Sequence, residues 1–353
     1  MILLKPVLLP TVKYLLQVRQ LSVRNSLFKR AEEIIKQVDP YCKIRIRCNY
    51  NLTIAPYDLL DCPDSNILKM TLGSKADDIN VESNDNEVNI VDSRSGSPIS
   101  CLLEIPIKAD LEIDNLGDTK ISELYSDQIQ VRSAGNIVTK NLRSSLIDLR
   151  SSRGNISCGG ITLAQTIKVV TDGEGNILLN KLQGGDVDAE TKLGNISVSS
   201  SYCNSSRFKT ENGNLFLKNI HKLCRVSTKG SGRLVMNGFY GTLLANVASP
   251  EVDLQLSEII GRCSVTAESA EKLVLAINDT ICENAEIAIT SRQLEIDPSF
   301  DSDQHAEQKK SGEFIFGNTT TQNKLQVEGG KLVQLRKMSW ADTLGLDLKM
   351  DKT

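Results

Sequence analysis

Few residues in this chain could do chemistry, and none sits in a recognisable reactive pattern. There are two histidines, His221 and His305. Neither lies beside a Ser or Cys in a nucleophile motif, and no Gly-x-Ser-x-Gly elbow occurs. His305 falls in a polar stretch and His221 at an expected bend, so both read as solvated. Nine cysteines are scattered with no Cys-x-x-Cys pair and no neighbouring His, which matches neither a zinc spacing nor a dense disulfide framework. Cys203 and Cys224, and likewise Cys263 and Cys282, are separated by about one coil of a short structural repeat. Stacked in adjacent coils, such pairs would be close enough to bridge or to hold a soft metal; as small apolar fillers of a narrow core they would do neither. Asp148 with Asp188, or Glu174 with Asp186, could face one another like the carboxylates of a polysaccharide hydrolase or lyase. Acidic residues alternate outward through almost every strand, however, which solvated charged faces also explain. Asp172-Gly173-Glu174-Gly175-Asn176 is similar to a calcium-binding nonapeptide, but it occurs once and those sites work by repetition. The sequence therefore supplies no catalytic residue, no cofactor-binding residue and no metal ligand.

One phrase, written six times, must position all of these residues. It reads Gly135-Asn136-Ile137, Gly154-Asn155-Ile156, Gly175-Asn176-Ile177, Gly194-Asn195-Ile196, Gly213-Asn214-Leu215 and Gly232-Arg233-Leu234. The glycines recur with a period of roughly 20 residues, and a fixed period of this size marks a solenoid. Around each Gly the residues alternate with period two, as in Val187-Asp188-Ala189-Glu190-Thr191 and Ile196-Ser197-Val198, which reads as strand. Each coil is then strand, Gly turn, strand, and a second bend near Leu142, Ile161, Leu182 or Ile220. The Gly is expected to supply a positive φ at the corner. The Asn after it is expected to hydrogen-bond to its copy in the next coil. A phosphate or metal loop is the functional alternative for Gly-Asn, but a binding loop needs to occur once and this phrase recurs in every coil.

The flanks bound the rest. The 353 residues carry a net charge of −3 and 4% aromatics, which gives no basic excess for nucleic acid and few rings to stack on bases. Residues 1 to 30 hold six basic residues and no acid, and resemble a mitochondrial transit peptide with Arg19-Gln20-Leu21-Ser22 as a processing site. No run of about 20 apolar residues predicts a transmembrane helix. Residues 31 to 77 are expected to cap the first coil, with a short helix over Glu32 to Val38. The solenoid is expected over residues 78 to 300, beginning in degenerate form at Ile79-Asn80-Val81-Glu82. A polar linker over 301 to 312 and closing strands over 313 to 353 follow, with Trp340 plugging the last coil. Six Asn-x-Ser/Thr sites, Asn155 and Asn195 among them, matter only if the chain is secreted.

The repeated phrase resembles the adhesin-like β-solenoid domain, a family of unknown function. The basic leader, the strands near Ile44 to Ile54, the turn Asp61-Cys62-Pro63-Asp64 and the Trp-containing tail look like its animal representatives. The resemblance implies a solenoid over roughly residues 40 to 345 and supplies no catalytic residues. The reading is an all-β, single-stranded parallel β-solenoid of about ten coils, capped at both ends. Its expected role is a non-enzymatic interaction scaffold in the mitochondrion with a protein partner, no cofactor and no nucleic acid. The alternatives are a carbohydrate-active enzyme, a secreted adhesin, or a cytoplasmic protein.

Overall fold

In the computed structural model, residues 32–58, 60, 63–73, 79–84, 86–92, 98–300, 307–309 and 312–338 are described. The expected leader, His305 and Trp340 lie outside them. The fold is a β-solenoid, as the period requires. From Ile137 to Val247 each coil is one long bent strand followed by a short turn: Ile137–Ser151, Ile156–Thr171, Ile177–Thr191, Ile196–Thr210, Leu215–Thr228 and Leu234–Val247. Each pairs in parallel with the next. Alternate Ile, Leu and Val point inward, because a strand with one apolar face can bury it only against the coil's other sides.

One inward column shows the length of the stack. It runs Val88, Ile44, Leu111, Ile129, Ile147, Ile167, Val187, Ser206, Cys224, Leu243, Cys263, Leu325 and Ile287, all buried. These thirteen levels, at about 4.8 Å each, make a rod roughly 60 Å long.

The order of that column is not the order of the chain. Lys43–Cys48 lies between Glu87–Asp92 and Asp110–Asn115, and Tyr50–Pro56 lies between Ile99–Ile105 and Thr119–Ser122. Residues 43–56, within the expected cap, are thus a full coil inside the stack. The far end repeats the device. Lys324–Gly329 sits between Arg262–Ala267 and Glu286–Thr290, and Leu332–Lys337 between Lys272–Ile277 and Gln293–Ile296. At each end a coil from the chain's flank is clamped under one that is nearer mid-chain.

Antiparallel strands then close the rod. Ile79–Ser83, expected to begin the repeat, is instead a hairpin partner of Glu87–Asp92. Ile67–Leu72 pairs with Ile99–Ile105, and Glu32–Gln37 pairs with Ile67–Leu72. The helix expected at Glu32 is therefore a strand: so short a segment without a cap gains little as an isolated helix, whereas the open edge at 67–72 offers a ready ladder of backbone partners. Glu32, Glu33 and Lys36 put charge on the outermost edge, which discourages pairing with another chain. At the other end Glu313–Gly317 covers Glu286–Thr290, and Glu307–Lys309 covers Glu313–Gly317.

The six turn glycines are needed for space rather than for a left-handed backbone, which corrects the expectation for Gly135, Gly154, Gly175, Gly194, Gly213 and Gly232. None of them has a positive φ; the left-handed corners lie at the second bend, at Asn141 (51°), Gly160 (66°), Asn219 (47°) and Gly238 (74°). The turn glycines stack on one another so closely that a Cβ on Gly194 would sit 1.9 Å from the Gly175 carbonyl oxygen. The asparagine ladder forms as expected. The backbone N–H of Asn155 donates to Asn136 Oδ1 at 2.9 Å, and Asn176, Asn195 and Asn214 each donate to the preceding Asn at 2.8 Å. Asp118 starts the ladder beneath Asn136 and Arg233 ends it above Asn214.

Candidate functional site

The structure separates the groups on which chemistry could have rested. Asp148 and Asp188 share an outward column, but Lys168 lies between them in register. Asp148 is held by Arg150 at 3.0 Å and Asp188 lies 3.7 Å from Arg207. Asp186 lies in register between Thr166 and Ser205, while Glu174 sits in the turn after Thr171. Acid next to base is the rule along the rod: Glu112 with Lys43 at 2.7 Å, Glu190 with Lys209 at 2.5 Å, Glu286 with Lys324 at 3.1 Å. Such pairs on a solvated face each contribute under about 1 kcal/mol. Asp148 and Asp188, separated and each beside an arginine, are not poised as an acid and base pair.

The cysteine pairs do not stack either. Ser201 pairs with Ile220 but Ser205 with Leu223, so the first strand carries one extra residue. That bulge puts Cys224 opposite Ser206, and Cys203 opposite Gly184 of the previous coil. Cys263 faces Leu325 of the clamped coil, while Cys282 is in the helix Asp279–Asn284. All eight described cysteines are buried and none of them forms a disulfide. Burial pushes the Cys48 thiol up to about 12 and Cys158 up to about 11. Thiolate, the reactive form, is therefore scarce at neutral pH. Brief maleimide labelling of the folded chain at pH 8, followed by peptide mapping, should leave these eight unmodified and label them after denaturation. Labelling of Cys203 or Cys224 in the native state would contradict the buried core.

One outward column is different in kind. It runs Tyr125, Arg143, Leu163, Gln183, Tyr202, His221, Tyr240 and Glu258, one residue per coil. The chain has seven tyrosines, and three of them share this line. His221 is not the freely solvated residue expected. Its ring is stacked between Tyr202, at 4.6 Å and 23°, and Tyr240, at 4.8 Å and 7°. Burial, helped by the Lys222 charge and opposed by Glu258, holds its pKa below the ordinary value, so the imidazole is neutral at pH 7. At the lower end the Arg143 guanidinium lies over the Tyr125 ring, 5.2 Å from its centroid. Tyr125, Leu163 and Tyr202 are each more than a third exposed.

A left-handed residue shapes the corner beside this ladder. Lys222, with φ of 64°, bends the chain beside His221, and its Nζ donates to Asn204 Oδ1 at 2.6 Å. Above the last ring a cleft of about 380 Å³ opens, lined by Tyr240, Glu258, Ile260, Thr280, Asn284 and Thr321, among others. Its walls are tied together by side chains that cap neighbouring backbone. Asn278 Nδ2 donates to the Ser257 carbonyl at 2.9 Å, Thr321 Oγ1 to the Asn284 carbonyl at 2.9 Å, and Asn323 Oδ1 accepts from Gly261 N–H at 2.8 Å. Glu258 has no ion-pair partner among the described residues. The ladder was visible in the spacing, since Tyr202, His221 and Tyr240 recur at the coil period. Sequence reasoning missed it because the Gly-Asn phrase marks the other corner of the coil. No group of three or more metal-ligating side chains occurs among the described residues.

The chain matches no protein-family model. Two solved structures are similar in outline. A candidate adhesin from Bacteroides fragilis is 16% identical over 66% of this chain and 99% of its own, with a TM-score of 0.38. A candidate cell adhesion protein from Clostridium sporogenes is 9% identical over 88% of this chain and 100% of its own, with a TM-score of 0.18. Likenesses of this size carry no argument about what this chain binds.

Proposed function

We propose that the chain is a non-enzymatic interaction scaffold that binds a protein partner along the ladder from Tyr125 to Glu258. The carrying observation is the stacked Tyr202–His221–Tyr240 line on the side of the rod. Tyr and Arg are the side chains enriched at the centres of protein interfaces, because a ring buries much area and loses little conformational freedom. A pre-ordered stack loses less still, which favours binding. The cleft beside Tyr240 and the acid Glu258 suit a basic side chain of that partner. The separation of Asp148 from Asp188, and the arginines beside them, weigh against the carbohydrate-active alternative. The adhesin-like family, with its animal members, remains the family reading, and the basic, acid-free residues 1 to 30 support import into mitochondria.

Both parts are tested together in the protein's own cells. The full chain and a Tyr202→Ala, Tyr240→Ala variant would be tagged at the C-terminus, cross-linked and analysed in organelle fractions. The expected result is a mature N-terminus near residues 22 to 31 in mitochondria, and a cross-linked partner lost from the variant although its melting is unchanged. An unchanged partner set would overturn the ladder as the binding surface. An intact Met1 in the cytosol, or glycan on Asn155, would overturn import.

A further inference from the structure

A second outward column, across the bend at residue 141 from the aromatic ladder, has a pattern of its own. It runs Lys120, Val138, Ser157, Leu178, Ser197, Phe216, Val235 and Asp253, again one residue per coil. Val138, Leu178 and Phe216 are 42%, 49% and 42% exposed, so this is an apolar stripe facing solvent. It has polar margins, with the asparagine ladder on one side and Lys140 and Lys218 on the other. An apolar centre with a polar rim is the anatomy of an interface.

We infer that this face docks a second copy of the same chain, with the two rods antiparallel, about a two-fold axis that runs parallel to the strands. The pattern is self-complementary in that arrangement and not in the two-fold parallel one. With the axis midway between Leu178 and Ser197, each Leu178 meets a Ser197 of the second copy and each Phe216 meets a Ser157. Large side chains thus enter the gaps left by small ones. Val138 meets Val235. At the margins Lys120, which has no ion-pair partner among the described residues, meets Asp253, which within its own chain lies 3.8 Å from Arg233. In a parallel arrangement Lys120 would meet Lys120, and Phe216 would meet Phe216. An isologous contact of this kind closes on itself and stops at a dimer. The stripe is roughly 34 Å long, and two such faces packed about 10 Å apart would bury on the order of 1,000 Å² in all. That is the area of a weak, reversible dimer.

The inference stands apart from the aromatic ladder, which the contact leaves open. The first test is sedimentation velocity of the purified full chain across a concentration series. A concentration-dependent dimer is expected, and Leu178→Lys or Phe216→Ser should weaken it at least tenfold with no change in melting, since both sites are exposed. The register is read by a short bis-maleimide reagent. The Val138→Cys, Val235→Cys double variant should cross-link into a covalent dimer. Either single variant should not, because its two copies would lie about 24 Å apart along the rod. A chain that stays monomeric at high concentration overturns the proposal. So does a dimer that survives Leu178→Lys, or one in which the single variants cross-link as well as the double.

Discussion

Gly213→Ala prevents the chain from reaching its native fold, or lowers its stability by more than about 4 kcal/mol. A Cβ at this position would lie 1.6 Å from the Gly194 carbonyl oxygen and 2.9 Å from Thr210 Oγ1. That carbonyl cannot retreat freely, because it accepts the Thr210 hydroxyl at 3.3 Å while Thr210 Oγ1 accepts from the Gly213 N–H at 2.9 Å. Relief would have to separate two coils, and every ladder bond between them resists. Gly173→Ala is the matched control, since a Cβ there first meets Ser152 O at 3.4 Å. Its melting temperature should stay within about 2 °C of the wild type, given an effect below about 1 kcal/mol. The same comparison separates space from backbone conformation. Asn tolerates a left-handed backbone better than Ala, so Gly213→Asn would recover stability if conformation were at issue. The stacked geometry requires instead that Asn be no better than Ala. Native-like melting of Gly213→Ala would sink the close-contact account.

Asn115→Ala should cost about 3 kcal/mol and lower the melting temperature by roughly 5–10 °C. Asn115 occupies the place that Ser133, Ser151 and Thr171 take in the following coils, and it lies opposite Cys48 of the clamped coil. Its buried amide works across that joint. Oδ1 accepts from Tyr50 N–H at 3.0 Å and from Gly117 N–H at 3.1 Å, while Nδ2 reaches the Tyr50 carbonyl at 2.9 Å and Thr119 Oγ1 at 2.9 Å. Alanine orphans donors and acceptors on two segments that are far apart in sequence. Asn115→Ser should recover only the local part, because a Ser hydroxyl can cap Gly117 as Ser133 caps Gly135 but cannot also span to Tyr50. Hydrogen exchange would show the loss concentrated in residues 43–56. A uniform loss of protection along the rod, or none, would contradict a joint at Asn115.

The physical reason for that joint lies in how the ends are made. A coil added in chain order needs only its neighbour, one repeat away. The coil 43–56 instead needs Asp110–Asn115, several repeats further along, and 324–337 must return over a comparable gap to Arg262. Closing such loops is slow and favours a mechanism in which the middle of the rod forms first. Once formed, both of these coils are paired on both sides.

Residue types and spacing by themselves determined the solenoid, the coil length, the inward faces and the asparagine ladder. Each of these depends on a relation that recurs in every coil, and repetition shows in spacing. The tertiary structure decided which coils touch where repetition fails. One inserted residue between Ser201 and Ser205 moved Cys203 off Cys224, and the segment that carries Cys282 folded into a short helix instead of a coil strand. It also decided that the turn glycines serve close approach, since the atom that excludes a Cβ belongs to the neighbouring coil and not to the local chain. The open edge of one parallel strand offers the same N–H and C=O groups as another. Local chemistry therefore cannot say which segment will fill it, and only the completed packing of side chains does.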